Sequence, residues 1–190
     1  AYLIIYSENI YSFIHRYLRI FERKKIKKDV SETKSHDFIL FGENRIGFSI
    51  MKLFERSKKN YVIVDFNPNR VKKLLDKGLP CIYGDASDVE FLNELKINKA
   101  KLIVSTIPDK DTNLILLNNT TRETKVIVTA RQISEAFELY RAGADYVILP
   151  HFLGGEYTAR MIEKANNNKK VYEYEKKKQI KELKERLKEG

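Results

Sequence analysis

Between residues 37 and 150 the chain changes its hydrophobic period again and again. Six short runs, at 37–41, 61–64, 81–83, 102–105, 126–129 and 146–149, are rich in Ile, Val, Phe and Tyr and are apolar at successive positions. Runs that are apolar on both faces predict strands of a buried parallel sheet. Between them lie stretches with helical spacing, near 46–57, 69–77, 89–95, 112–121 and 134–142, and Gly78, Asn98 and Gly143 follow three of them as stop signals. Six strands alternating with helices predict an α/β fold: a doubly wound, Rossmann-like, parallel six-stranded sheet with right-handed crossovers.

The flanks follow a different pattern. Ile10, Phe13, Ile14, Tyr17, Leu18 and Phe21 recur at steps of three and four, and Lys24, Lys25, Lys27 and Lys28 follow them. This predicts a basic amphipathic helix over residues 1–28. It is too polar to span a bilayer and suits a membrane interface, or else packs on its own domain. Residues 29–36 are polar and aperiodic and read as a linker. From residue 169 onward Lys, Glu and Arg dominate, with a thin stripe at Ile180, Leu183 and Leu187. That seam predicts a helix that is either a solvated tail or an arm for a second subunit. The two flanks are thus expected as helical arms on the sheet body.

Composition narrows the function. The 190 residues are 43% hydrophobic and 33% charged, with one cysteine and three histidines. A disulfide framework is therefore excluded, and a zinc or other metal site is not expected. The net charge of +10 suggests nucleic acid until it is divided: residues 1–34 carry +4, 35–168 only +2, and 169–190 another +4. A nearly neutral body with two basic arms points to a membrane or a protein partner and away from nucleic acid.

The chemistry lies where the strands end, because ligands of such sheets bind beyond the carboxyl ends. After the first strand comes Gly42-Glu43-Asn44-Arg45-Ile46-Gly47. This is a variant of the Gly-x-Gly-x-x-Gly loop that places a pyrophosphate on a helix N-terminus. Gly42 is expected to make the tight turn and Gly47 to allow close helix–strand packing. Asn44 stands where the middle glycine is usual. Asn tolerates left-handed backbone angles, but its side chain should crowd a pyrophosphate. Asp65 ends the second strand, 23 positions after Gly42, close to the expected place of a carboxylate that accepts both ribose hydroxyls. Such a carboxylate repels a 2′-phosphate, so NAD or an adenine mononucleotide is favoured over NADP. Phe66 follows it. Asp85 and Ala86 end the third strand, Thr106 and Ile107 the fourth, and Arg131 the fifth, where it meets a phosphate, a neighbouring subunit or a local carboxylate. Cys81 reads as a buried small hydrophobe. No catalytic constellation is apparent, so the protein is not expected to be an enzyme.

Taken together, Phe38-Ile-Leu-Phe-Gly-Glu-Asn-Arg-Ile-Gly47, Val62-Ile-Val-Asp-Phe-Asn-Pro68, Tyr83-Gly-Asp-Ala-Ser-Asp88, Val104-Ser-Thr-Ile-Pro-Asp109 with Asn113, Ala130-Arg131 and Ala142-Gly-Ala-Asp-Tyr-Val-Ile-Leu-Pro150 resemble the ordered motifs of the RCK, or TrkA-N, domain. The resemblance covers about residues 37–165 and leaves 166–190 as a charged C-terminal helix. It implies a cytoplasmic domain that regulates potassium channels or transporters by sensing NAD, NADH or another adenine nucleotide (AMP, ADP or ATP). It places the ligand over the 42–47 loop, with Asp65 on the ribose and Asp85, Ala86, Thr106 and Ile107 lining the adenosine pocket. It also implies a homodimer with a crossing helix after the sixth strand. The N-terminal flank is similar to the end of the last membrane helix of Kef-type cation/proton antiporters, which would put the domain at the cytoplasmic face of the membrane as part of a larger transporter. The alternatives are a free-standing NAD-dependent oxidoreductase and a separate Trk-type potassium-uptake subunit.

Overall fold

The computed structural model describes residues 35–189. The amphipathic helix expected over 1–28, and most of the linker expected over 29–36, lie outside the described residues. The elements run β1 (Phe38–Phe41), α1 (Gly47–Ser57), β2 (Tyr61–Asp65), α2 (Pro68–Asp76), β3 (Cys81–Tyr83), α3 (Val89–Glu94), a 3₁₀ turn (Ile97–Lys99), β4 (Leu102–Ser105), α4 (Lys110–Asn118), β5 (Lys125–Thr129), α5 (Ile133–Arg141), β6 (Tyr146–Ile148), α6 (Pro150–Ala165) and α7 (Lys169–Glu189).

All six strands are parallel, in the order β3-β2-β1-β4-β5-β6. The order reverses between β1 and β4, where Phe38 pairs with Tyr61 on one side and Leu102 on the other. A ligand crevice is expected at this switch point. Burial on both faces explains the central runs, with every residue of β2 and all but the first of β1 and β4 buried, whereas the edge strands β3 and β6 expose Tyr83 and Tyr146. One cluster holds Leu40, Met51, Phe54, Ile63, Val71 and Leu74, beneath α1 and α2. The other holds Ile39, Phe41, Leu92, Ile103, Leu116, Val128 and Leu139, beneath α3, α4 and α5. Met51 and Phe54, buried three apart on α1, and Val71 and Leu74 on α2 show how helical spacing presents one apolar face to the sheet.

Three helices, α2, α3 and α4, start on a side-chain cap in the loop that follows a strand. Asn67 accepts from the N–H groups of Asn69 and Arg70, with Pro68 opening the helix, and Asp88 accepts from those of Glu90 and Phe91. Asp109 accepts from the Thr112 N–H and hydroxyl at 2.9 and 2.7 Å. These bonds hold its carboxyl below the ordinary range, and α4 accordingly begins two residues before the expected position.

The C-terminal region departs most from the reading by period. α6, which hydrophobic periodicity did not mark, is almost wholly exposed and buries only Ala165. Asn166 and Asn167, at φ 37° and 64°, turn the chain into α7. The Tyr157 hydroxyl donates to Glu175 across this hairpin at 2.6 Å. α7 is more than a solvated tail: the Arg186 guanidinium donates to the Arg45 carbonyl and the Ser49 hydroxyl, both at 2.7 Å, and lies 5.0 Å from the Phe48 ring centroid. No helix among the described residues is long and apolar enough to cross a membrane.

Candidate functional site

A cleft of about 360 Å³ opens at the switch point. Of the residues singled out in the sequence, Gly42, Asn44, Asp65, Phe66, Asp85, Ala86 and Ile107 line it. They come from the ends of β1, β2, β3 and β4, four strands that parallel pairing sets side by side.

The loop geometry accounts for both glycines. Gly42 has φ +86°, a region that L side chains rarely adopt, and a Cβ on Gly47 would run into the Gly42 carbonyl. Thr106, 1% exposed, keeps the turn closed: its hydroxyl donates to the Gly42 carbonyl at 2.7 Å, with the Phe41 carbonyl 3.2 Å away. Thr106 is thus a latch behind the cleft, and its hydroxyl is already committed.

Asp65 is 3% exposed, yet its carboxylate is well supplied with donors. It accepts the Glu43 N–H at 2.9 Å and the Asn67 N–H at 2.8 Å, and Arg70 approaches at 3.5 Å. Charge-assisted bonds of this kind offset the cost of burying a carboxylate. With about four lone-pair directions on a carboxylate, acceptor capacity remains for ribose hydroxyls, especially where the long Arg70 contact yields. The side chain therefore joins the glycine loop to the start of α2.

Asn44 behaves differently from expectation. Its backbone is not among the positive-φ residues. Its side chain does the work instead: Nδ2 donates to the Thr106 carbonyl at 2.9 Å, and Oδ1 accepts the N–H groups of Ile46 at 2.9 Å and Gly47 at 3.2 Å. The start of α1 is thus partly capped from within, where free donors were expected.

Other candidates lie apart. Glu43 and Arg45 line a neighbouring groove of about 340 Å³ together with Phe48, Lys73 and Arg186. Ile46 and Gly47 line neither cavity, and their N–H groups go to the Asn44 carboxamide oxygen. Arg131 is exposed beyond β5, outside the cleft; its backbone N–H donates to Glu135 at 2.8 Å, and its charge helps to hold the Asp109 carboxyl down. Cys81 is buried as expected, and burial, aided by the Asp65 and Glu43 charges, pushes its thiol up to about 12. Such a thiol is unreactive. Among the described residues no group of three His, Cys, Asp or Glu side chains could hold a metal ion.

Sequence reasoning missed Arg70 and Thr112, both of which line the cleft. Arg70 lies five residues after Asp65 in the first turn of a Pro-initiated helix, a position from which it could have been inferred. Asn113, quoted only within the motif run, is fully buried and donates to the Ile107 and Thr129 carbonyls at 2.9 Å. It ties the end of β4 to that of β5 and so positions Ile107, while its Oδ1 has no partner among the described residues.

Residues 38–150 match the family model of the TrkA-N domain. Among curated proteins, "Potassium channel protein 1" of Methanocaldococcus jannaschii is 28% identical over 160 residues, covering 80% of this chain and 48% of that protein. The "Glutathione-regulated potassium-efflux system protein KefC" of an Enterobacter species is 30% identical over 126 residues, covering 65% of this chain and 20% of that protein. The chain thus spans about half, or less, of the length of these relatives. Among solved structures, the TrkA-N domain of the Escherichia coli inner membrane protein ybaL superposes with a TM-score of 0.63 at 18% identity, covering 69% of this chain and 99% of that one. The GsuK channel bound to NAD gives 0.56 at 20% identity, over 77% and 27%. The Shewanella denitrificans Kef C-terminal domain in its AMP-bound form gives 0.56 at 17% identity, over 80% and 94%. At these identities the structures establish the shared fold.

Proposed function

The chain belongs to the TrkA-N domain family, and from that premise we propose that it is a nucleotide-binding regulatory domain of a potassium channel or of a potassium or sodium/proton antiporter. The ligand is an adenine nucleotide: NAD(H), AMP, ADP or ATP. The observation that carries this reading is the buried Asp65 carboxylate, held by the Glu43 and Asn67 N–H groups and lining a cleft at the topological switch point. The ribose hydroxyls donate to Asp65, the adenosine lies among Asp85, Ala86 and Ile107, and Phe66, 66% exposed at the rim, offers a ring face. The names of the relatives favour regulation over catalysis.

In this reading the helix over 1–28 adjoins the membrane at its cytoplasmic face, 29–36 link it to the nucleotide-binding body over 37–165, and 166–190 form the charged arm. Two copies pair through the exposed apolar residues of α5 and α6, among them Phe137 at 63% and Phe152 at 53%. Nucleotide binding biases the dimer between two arrangements and so gates the transport portion of the same or a partner chain. Calorimetry with NADH, NAD, AMP and ATP tests the ligand directly. At least one should bind, and Asp65→Ala should weaken it by about a hundredfold, the worth of two hydrogen bonds to a charged group. Absence of binding by all four to the wild-type chain overturns the reading.

A further inference from the structure

Binding of an anion at a helix N-terminus depends on free backbone N–H groups. Here most of those on the glycine loop are taken. The Gly42 N–H goes to the Val64 carbonyl at 2.8 Å and that of Glu43 to Asp65. Those of Ile46 and Gly47 go to the Asn44 carboxamide oxygen and so are not free for a phosphate oxygen. The same carboxamide is anchored from its other end by the Thr106 carbonyl. Among the described residues this leaves the N–H groups of Asn44 and Arg45 for a ligand. A pyrophosphate that takes the place of this amide breaks three hydrogen bonds and can replace only the two made by N–H donors, because phosphate oxygens cannot donate to the Thr106 carbonyl.

We infer that Asn44 is a specificity-determining residue that turns the cleft toward adenosine mononucleotides and against dinucleotides. The inference rests on the nucleotide-binding reading above. A mononucleotide ends in a phosphate tethered on one side only. It can turn outward to the N–H groups of Asn44 and Arg45 and leave the carboxamide in place. The pyrophosphate of a dinucleotide is tethered at both ends and, in folds of this kind, rests on the glycine loop and helix N-terminus, the place the Asn44 carboxamide takes here. Asp65, Asp85 and Ala86 hold the adenosine moiety common to both ligands, so discrimination falls on the phosphate.

The test is calorimetry on the full 190-residue chain with adenosine, AMP and NADH. The wild-type chain should bind AMP at least as tightly as NADH. Asn44→Gly should improve NADH relative to AMP by about tenfold, the worth of one charge-assisted hydrogen bond. Asn44→Asp keeps an acceptor on the Ile46 and Gly47 N–H groups and adds a negative charge. With its melting temperature matched to wild type, it should weaken AMP and NADH by about tenfold or more and spare adenosine. A wild-type chain that prefers NADH by about tenfold, an unchanged ratio in Asn44→Gly, or equal losses for all three ligands in Asn44→Asp overturns the inference and leaves nucleotide binding standing. Failure of every ligand to bind the wild-type chain overturns both.

Discussion

The sheet body and the helical hairpin that follows it are held by opposite means. From β1 to β6 each helix conceals an apolar face, and two buried clusters sandwich the sheet. α6 and α7 together bury one side chain, Ala165. What ties them down is polar: Tyr157 to Glu175 within the hairpin, and Arg186 to the Arg45 carbonyl and Ser49. Burial is non-directional and scales with area, whereas exposed polar contacts contribute little net stability. The body is therefore held by burial over a large area and the hairpin by a few exposed polar contacts. The two meet at the first turn of α1, beside the cleft, where Arg186 reaches the Arg45 carbonyl and Ser49.

The comparison is broken most severely by a cavity in the body. Leu116 is fully buried, so Leu116→Ala should cost about 2–5 kcal/mol in chemical denaturation. A loss similar to that of a surface substitution would show that α4 is not part of a packed core. Next comes the latch behind the cleft. Thr106→Val removes the hydroxyl that meets the Gly42 carbonyl and should cost about 1–3 kcal/mol, with weaker nucleotide binding measured on the same sample.

A smaller effect is expected at the cap of α4. Asp109→Ala should cost about 1 kcal/mol at neutral pH. Its folded-state carboxyl is depressed from an ordinary value of 3.8, chiefly by the Thr112 bonds. The cap's contribution is therefore complete above the unfolded value and is lost as pH falls through the folded one. Wild type and variant should converge in stability on acidification, and a gap that persists at the acid end would contradict the cap. The smallest effect on global stability belongs to the arm. Arg186→Ala should shift unfolding by less than about 1 kcal/mol yet speed amide exchange through α7 while the strands keep their protection. Equal acceleration in the sheet would show that hairpin and body unfold as one unit.

How much of this was legible follows the same division. Continuous apolar runs announce strands, and all six strands lie within a residue or so of theirs. Gly42 and Gly47 were legible because a tight turn and a close backbone approach leave no room for a side chain, and Asp65 because it ends an apolar strand. α6 was not, because a helix that leaves its apolar residues exposed in the chain alone, and carries Gly154-Gly155, shows no regular buried stripe. Asn44 was visible as an oddity, but its effect depends on where Thr106 lies, 62 residues on. Arg186 reaches across 141 residues to Arg45, a contact that local periodicity cannot encode.

The central claim is that an adenine nucleotide occupies the cleft at the switch point. Amide hydrogen exchange with and without saturating AMP tests it most directly, since it reports where binding occurs as well as whether it does. The account predicts slowed exchange over residues 42–47, 65–67 and 84–87. Protection confined to the groove between α1 and α7, or none anywhere, would contradict it.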